Sequence, residues 1–230
     1  MKLRAEIKSQ AKERFAKQYW ISVGAFVLIM LCMCVASVFT STDTWGRSPG
    51  MFVPMAGPFM GFGFIGVAVS VFLMPPLTVA YAWFSMRIYN DETGEIGPMF
   101  GAGFKNYWHN VGGMLFMELF TFLWTLLFIV PGIIKAIAYS MTPYILTDLP
   151  RVTPTQALKV SMKMTKGYKG EIFVMYLSFI GWGILTALTG GILGIFYTGP
   201  YMSTSLAGLY VEIKKNALEK GMVTAEELGI

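Results

Sequence analysis

Val130-Pro131-Gly132-Ile133-Ile134-Lys135-Ala136-Ile137-Ala138-Tyr139-Ser140-Met141-Thr142-Pro143-Tyr144-Ile145-Leu146-Thr147-Asp148 follows a long apolar run and closes on an acid. Its Pro131-Gly132 pair is a helix breaker, because proline has no N–H to donate and glycine adds backbone freedom. Lys135 stands just after the break and Pro143 lies halfway along. The stretch reads as the place where the chain turns at one membrane face and comes back through the bilayer.

The composition agrees with that reading. Of 230 residues, 55% are hydrophobic and 13% charged, and mean hydropathy is +0.57. Soluble domains carry about 25% charged residues, so this chain cannot cover itself with a water-facing surface. Its apolar residues fall in runs near the roughly 20 residues of helix that cross a bilayer. The expected fold is an all-α membrane bundle of about six spans, at 19–39, 59–89, 109–130, 133–147, 171–188 and 192–213. Residues 1–18 precede this single transmembrane bundle and a polar tail, 214–230, follows it.

The +5 charge is localised. Basic residues gather at Lys2–Lys17, at Arg87 and Lys105, between Arg151 and Lys169, and at Lys214, Lys215 and Lys220. By the positive-inside rule these segments are cytoplasmic, so both termini face inward and the spans are even in number. A nucleic-acid partner is a poor reading, because the basic residues border membrane spans. Membrane lipids are the expected partners, with a second copy of the chain or another membrane protein as further options.

In residues 2–18, Leu3, Ile7, Ala11 and Phe15 repeat every four residues opposite lysines and arginines. This predicts an amphipathic helix on the inner leaflet. No cleavable signal is expected at the N-terminus, since the apolar run is too long and no small-residue cleavage site follows. Cys32 and Cys34 are two apart inside the first span and point away from each other, which argues against a disulfide. Gly61-Phe62-Gly63-Phe64-Ile65-Gly66 matches a dinucleotide fingerprint in letters only, with no strand before it. Thr153-Pro154-Thr155-Gln156 starts a helix through a capping box. That helix carries Lys159, Lys163 and Lys166 as inner-leaflet contacts. The tail from Asn216 is expected to fray.

Three returning spans hold prolines: Pro75-Pro76, Pro143 and Pro200. With Pro131, the residues Pro76, Pro143 and Pro200 are expected helix kinks. Kinked helices can enclose a cavity or only shape packing; both readings stand. Gly199, Ser203 and Ala207 form a small-residue stripe suited to helix–helix contact.

The residues carry a resemblance that runs over essentially the whole chain and is strongest over 130–212. Pro131-Gly132-Ile133-Ile134-Lys135, Ala138-Tyr139-Ser140-Met141, Pro143-Tyr144-Ile145-Leu146, Asp148, Leu177-Ser178-Phe179-Ile180-Gly181-Trp182 and Pro200-Tyr201 resemble the bacterial membrane family called domain of unknown function 975. That family is distantly similar to the membrane domain of some glycerophosphodiester phosphodiesterases. The resemblance implies a multi-pass protein of the bacterial cytoplasmic membrane and supplies no catalytic residue.

No catalytic motif is present. His109 is a lone histidine beside Trp108, and there is no P-loop, no paired-histidine metal motif and no nucleophile elbow. No cofactor is implied, and an enzyme is disfavoured. Glu118 is the sharpest residue, about 14 Å into span three at 1.5 Å per residue. A carboxylate that deep costs a few kcal/mol, and such residues are functional by default. The alternative is a protonated glutamate bonded to a Tyr, Ser or Thr of another span. Tyr139, Tyr144, Tyr176, Tyr197 and Tyr201 could line a cavity together, with Tyr139, Tyr144 and Tyr201 the candidate companions of Glu118 in an intramembrane polar site. Lys135, 17 residues away, would lie about 25 Å off along a straight path, too far to pair. Asp148 is expected to pair with Arg151 or a loop lysine. Two functions follow. One is binding or moving a lipid or amphipathic molecule, in envelope maintenance or in resistance to membrane-active peptides; the other is an accessory or scaffold subunit.

Overall fold

The computed structural model describes residues 4–41 and 64–229. The loop with Asp43 and Arg47, Leu3 and Gly61–Gly63 of the glycine motif lie outside them. Every element among the described residues is helical: α1 (Arg4–Lys17), α2 (Tyr19–Ser41), α3 (Phe64–Tyr89), α4 (Ile96–Phe104), α5 (Tyr107–Leu127), α6 (Ile129–Tyr139), α7 (Thr142–Asp148), α8 (Pro154–Met164), α9 (Lys169–Leu177), α10 (Ile180–Leu188), α11 (Gly199–Glu219) and α12 (Ala225–Leu228). Among the described residues, four segments are long and apolar enough to cross a membrane: Val71–Tyr89, Tyr107–Leu127, Ile129–Asp148 and Lys169–Leu188. A fifth would count α1 and α2 together, bent by 93°. α11 is not among the four. It carries Glu212, Lys214 and Lys215, and most of its length is buried inside the bundle.

The prolines correct the expected kinks. Between α5 and α6 the break is Phe128, which is extended at φ −156° and ψ 137°. Pro131 falls in the first turn of α6, where an N–H has no helical partner to lose. Gly132 is what the hairpin needs: a Cβ there would stand 2.7 Å from Thr125 Cα. Pro143 likewise sits in the first turn of α7, after a break at Ser140–Met141. Pro200 opens α11 behind a π-helical turn, Gly194–Thr198. That wider turn suits a residue with no N–H whose ring crowds the preceding carbonyls. Only Pro75-Pro76 lie within a continuous helix, α3. The carbonyl that Pro76 leaves without its helical donor, that of Phe72, accepts a hydrogen bond from Tyr107 Oη at 2.9 Å. Across the same junction Gly103 lets α4 approach, since a Cβ there would lie 2.4 Å from the Pro76 oxygen.

α1 forms as its periodicity predicts, but its apolar face does not lie on lipid. Ile7, Ala11 and Phe15 are fully buried within the protein, and α1 packs chiefly along α11. Its polar side grips neighbouring elements. Tyr89 Oη donates to Gln10 Oε1 at 3.1 Å, Arg14 lies 4.9 Å over the Tyr89 ring, and Lys17 pairs with Asp91 at 3.4 Å. Gln18 donates to the Glu92 carbonyl and accepts from the Gly94 N–H at 2.7 and 2.8 Å. Burial against the bundle lowers the pKa of Lys8. Its ammonium reaches Ser178 Oγ at 3.1 Å and lies 4.3 Å over the Phe179 ring.

The tail is also folded, against expectation. After α11 the chain turns at Gly221 (φ +63°) and forms α12. Thr224 Oγ1 accepts from the Glu227 N–H at 3.1 Å, and left-handed Gly229 ends the helix. Val223 and Leu228 are buried, and Glu227 pairs with Lys163 of α8. Two apolar anchors and an ion pair replace the fraying that the polar composition suggested.

Candidate functional site

Glu118 lies eleven residues after the first of α5 and faces a groove of about 490 Å³. Thr121, Thr125, Ala136, Ser140, Pro143 and Tyr176 share its lining. The hydroxyls of Thr121, Thr125 and Ser140 donate to the carbonyls of Met117, Thr121 and Ile137 at 2.7, 2.8 and 2.8 Å. Those helical back-bonds leave their protons turned away from the groove. Glu118 makes no hydrogen bond or ion pair among the described residues, so no described residue of another span satisfies its carboxyl.

The hairpin at Phe128 also overturns the straight-path distance from Glu118 to Lys135. Chain reversal brings Ala136 into the same groove as Glu118. Lys135 nevertheless turns aside: its ammonium lies 4.8 Å over the Trp124 ring and 3.7 Å from Met162 Sδ. The groove is therefore an apolar trough with an unpartnered acid on its wall.

The three tyrosines named with Glu118 occupy other places. Tyr144 is buried and stacks on Tyr210 at 5.4 Å. Tyr139 is buried beneath Lys135, 5.9 Å from its ammonium. Tyr201 packs against Phe179 and Tyr197 at 5.4 and 5.6 Å, and its hydroxyl reaches the Lys8 carbonyl at 3.4 Å. The tyrosine on the Glu118 groove is Tyr176. Of the five tyrosines that could line a cavity, it is the one that shares the groove with Glu118. Lys159 and Lys166 are exposed on and just after α8, as expected of surface lysines, whereas Lys163 is engaged by Glu227.

A second, polar pocket of about 330 Å³ opens where α3, α7 and α11 converge, lined among others by Trp83, Arg87, Asn90, Asp148, Tyr210 and Lys214. Asp148 accepts from both Tyr210 Oη and Lys214 Nζ at 2.6 Å. Its partner is thus neither Arg151, which reaches the Gly229 carbonyl at 3.5 Å, nor a loop lysine. Arg87 pairs with Glu92 at 3.3 Å and lies 4.9 Å over the Trp83 ring. Charges here are matched in pairs, which favours a structural clasp.

Neither the curated proteins nor the solved structures contain a match to this chain. Residues 129–217 match the family described as Protein of unknown function (DUF975), and the resemblance of the second half of the chain to that family stands on this match.

Proposed function

We propose that this is a non-enzymatic integral membrane protein that binds or moves an amphipathic molecule, a lipid or a membrane-active peptide, at the Glu118 groove. The proposal places it in the bacterial cytoplasmic membrane with both termini inside, and extends its kinship to the membrane domain of glycerophosphodiester phosphodiesterases. One observation carries it. An apolar trough of about 490 Å³ holds one carboxylate with no partner among the described residues. The carboxylate is exposed on the groove wall, so it is open to a cationic or hydrogen-bond-donating group from a bound molecule. An amphiphile supplies one, its chain on Phe122 and Pro143 and a donor or cationic head on Glu118.

The scaffold reading draws on small-residue helix faces, and here those faces are used internally. Ala207 is fully buried, and Cβ atoms on Gly199 and Gly208 would strike the rings of Phe26 and Tyr89 at 2.3 and 2.2 Å. What remains for a protein partner is the apolar outer surface, which any membrane protein offers to lipid.

Titration of the detergent-solubilised protein with a fluorescent long-chain alkylammonium tests the reading. Saturable binding weakened about tenfold by Glu118→Gln, the size of one lost charge-assisted contact, supports it. Equal binding by both proteins contradicts it.

A further inference from the structure

The α5–α6 hairpin does not have the surroundings of two full spans. α8, with its exposed lysines, runs alongside it: Pro154 Cγ lies 3.7 Å from the place of a Cβ on Gly112 of α5. At the other end of α8, Ser161 Oγ donates to the Ala138 carbonyl of α6 at 2.7 Å, and Met162 meets Lys135. α8 therefore flanks the hairpin from Gly112 to Lys135. If Tyr107 and Phe128 marked opposite membrane faces, Lys159 and Lys166 would sit at hydrocarbon depth, at about 2.5–3.5 kcal/mol each near the centre.

The hairpin's uncovered surface says the same. Leu126, Leu127, Phe128, Ile129 and Val130 form the tip, with Leu126 73% and Ile129 72% exposed. No polar residue stands between Leu126 and Pro131, so a tip emerging into water on the far side would present only apolar side chains there. From Lys135 to Phe128 is about 10 Å of helix, and from Phe116 about 18 Å, against a hydrocarbon core of about 30 Å. The apolar zone fits one leaflet.

We propose that the α5–α6 hairpin enters the bilayer obliquely, tip first, and turns back within it, while Lys159 and Lys166 of α8 contact anionic headgroups of the leaflet it entered. The backbone at Phe128 allows this, because its N–H donates to the Trp124 carbonyl at 3.1 Å and its own carbonyl accepts from Gly132 at 3.0 Å. The turn thus leaves neither group of Phe128 unsatisfied in lipid. The hairpin of α9, α10 and the π-helical turn repeats the arrangement. Lys8 of α1 touches Ser178 at its base, and Ile184, Leu188 and Ile192 are exposed beyond. Glu118, which shares its groove with Ala136 and Ser140 on either side of Ala138, then lies near headgroup depth rather than mid-bilayer.

Single cysteines test this in full-length protein whose native Cys32 and Cys34 are replaced by alanine. The protein is reconstituted in phosphatidylglycerol-containing vesicles and treated with a membrane-impermeant maleimide on either side. Leu126→Cys and Ile129→Cys are expected to resist labelling from both sides, and Lys159→Cys and Lys166→Cys to label fully from one side. Spin labels at the two tip positions should report a depth of about 10–15 Å below the phosphates of that same side. Labelling of either tip cysteine, tip labels near the far phosphates, or α8 cysteines shielded from both faces would each overturn the proposal.

Discussion

A methyl group on Gly103 would stand 2.4 Å from the Pro76 carbonyl oxygen and 2.8 Å from Ala80 Cβ, and the first obstacle is backbone that cannot rotate away. Gly103→Ala is expected to destabilise the protein by about 1–3 kcal/mol, the usual range for overpacking. Gly101, on the same helix, has nothing within 4 Å of a Cβ. Gly101→Ala should stabilise by about 0.5–1 kcal/mol through helix propensity alone. Thermal unfolding of both variants in one detergent checks the pair, and equal shifts would refute the close approach. Tyr107→Phe removes the donor to the Phe72 carbonyl and is expected to cost about 0.5–1.5 kcal/mol, the net worth of one ordinary hydrogen bond. At this scale the sequence was informative about residue type and silent about role. Pro131-Gly132 marked the right neighbourhood, yet the break falls at Phe128, whose side chain carries no signal for it. Glu118 stood out by chemistry alone, while Tyr176 was one of five candidate tyrosines and the packing singles it out.

Elements were legible where a local rule decides them. Gln156 Oε1 accepts from the Thr153 N–H at 3.0 Å, as the capping box at the start of α8 requires. Periodicity placed α1, but could not say what its apolar stripe would meet, since lipid and protein are equally apolar. α11, the small-residue helix, took that role. The polar tail misled because two apolar residues, Val223 and Leu228, suffice to dock a short capped helix. That docking gives a pH dependence. The hydrogen bond from Lys163 holds the Glu227 carboxyl below its ordinary pKa. A depressed carboxyl contributes stability that is present above the unfolded pKa and lost as pH falls through the folded one. Hydrogen exchange of α12 should therefore accelerate on acidification below the ordinary carboxylate range. Lys163→Gln should move that loss to higher pH, and an unchanged profile in the variant would show that the ion pair does not hold the tail.

For the whole molecule, composition and the length of the apolar runs pointed to an all-α membrane fold; every described element is helical, and four membrane-length segments are present among the described residues. Counting apolar runs cannot separate a helix that crosses from one that turns back, because both need the same side chains. The difference lies in which polar elements sit beside them, and α8 supplies it. Whether the protein holds an amphiphile through Glu118 is decided by native mass spectrometry of protein extracted in mild detergent. A discrete lipid or peptide mass retained by the wild type and lost from Glu118→Gln is expected. Bare protein in both spectra, or the same adduct on both, would contradict it.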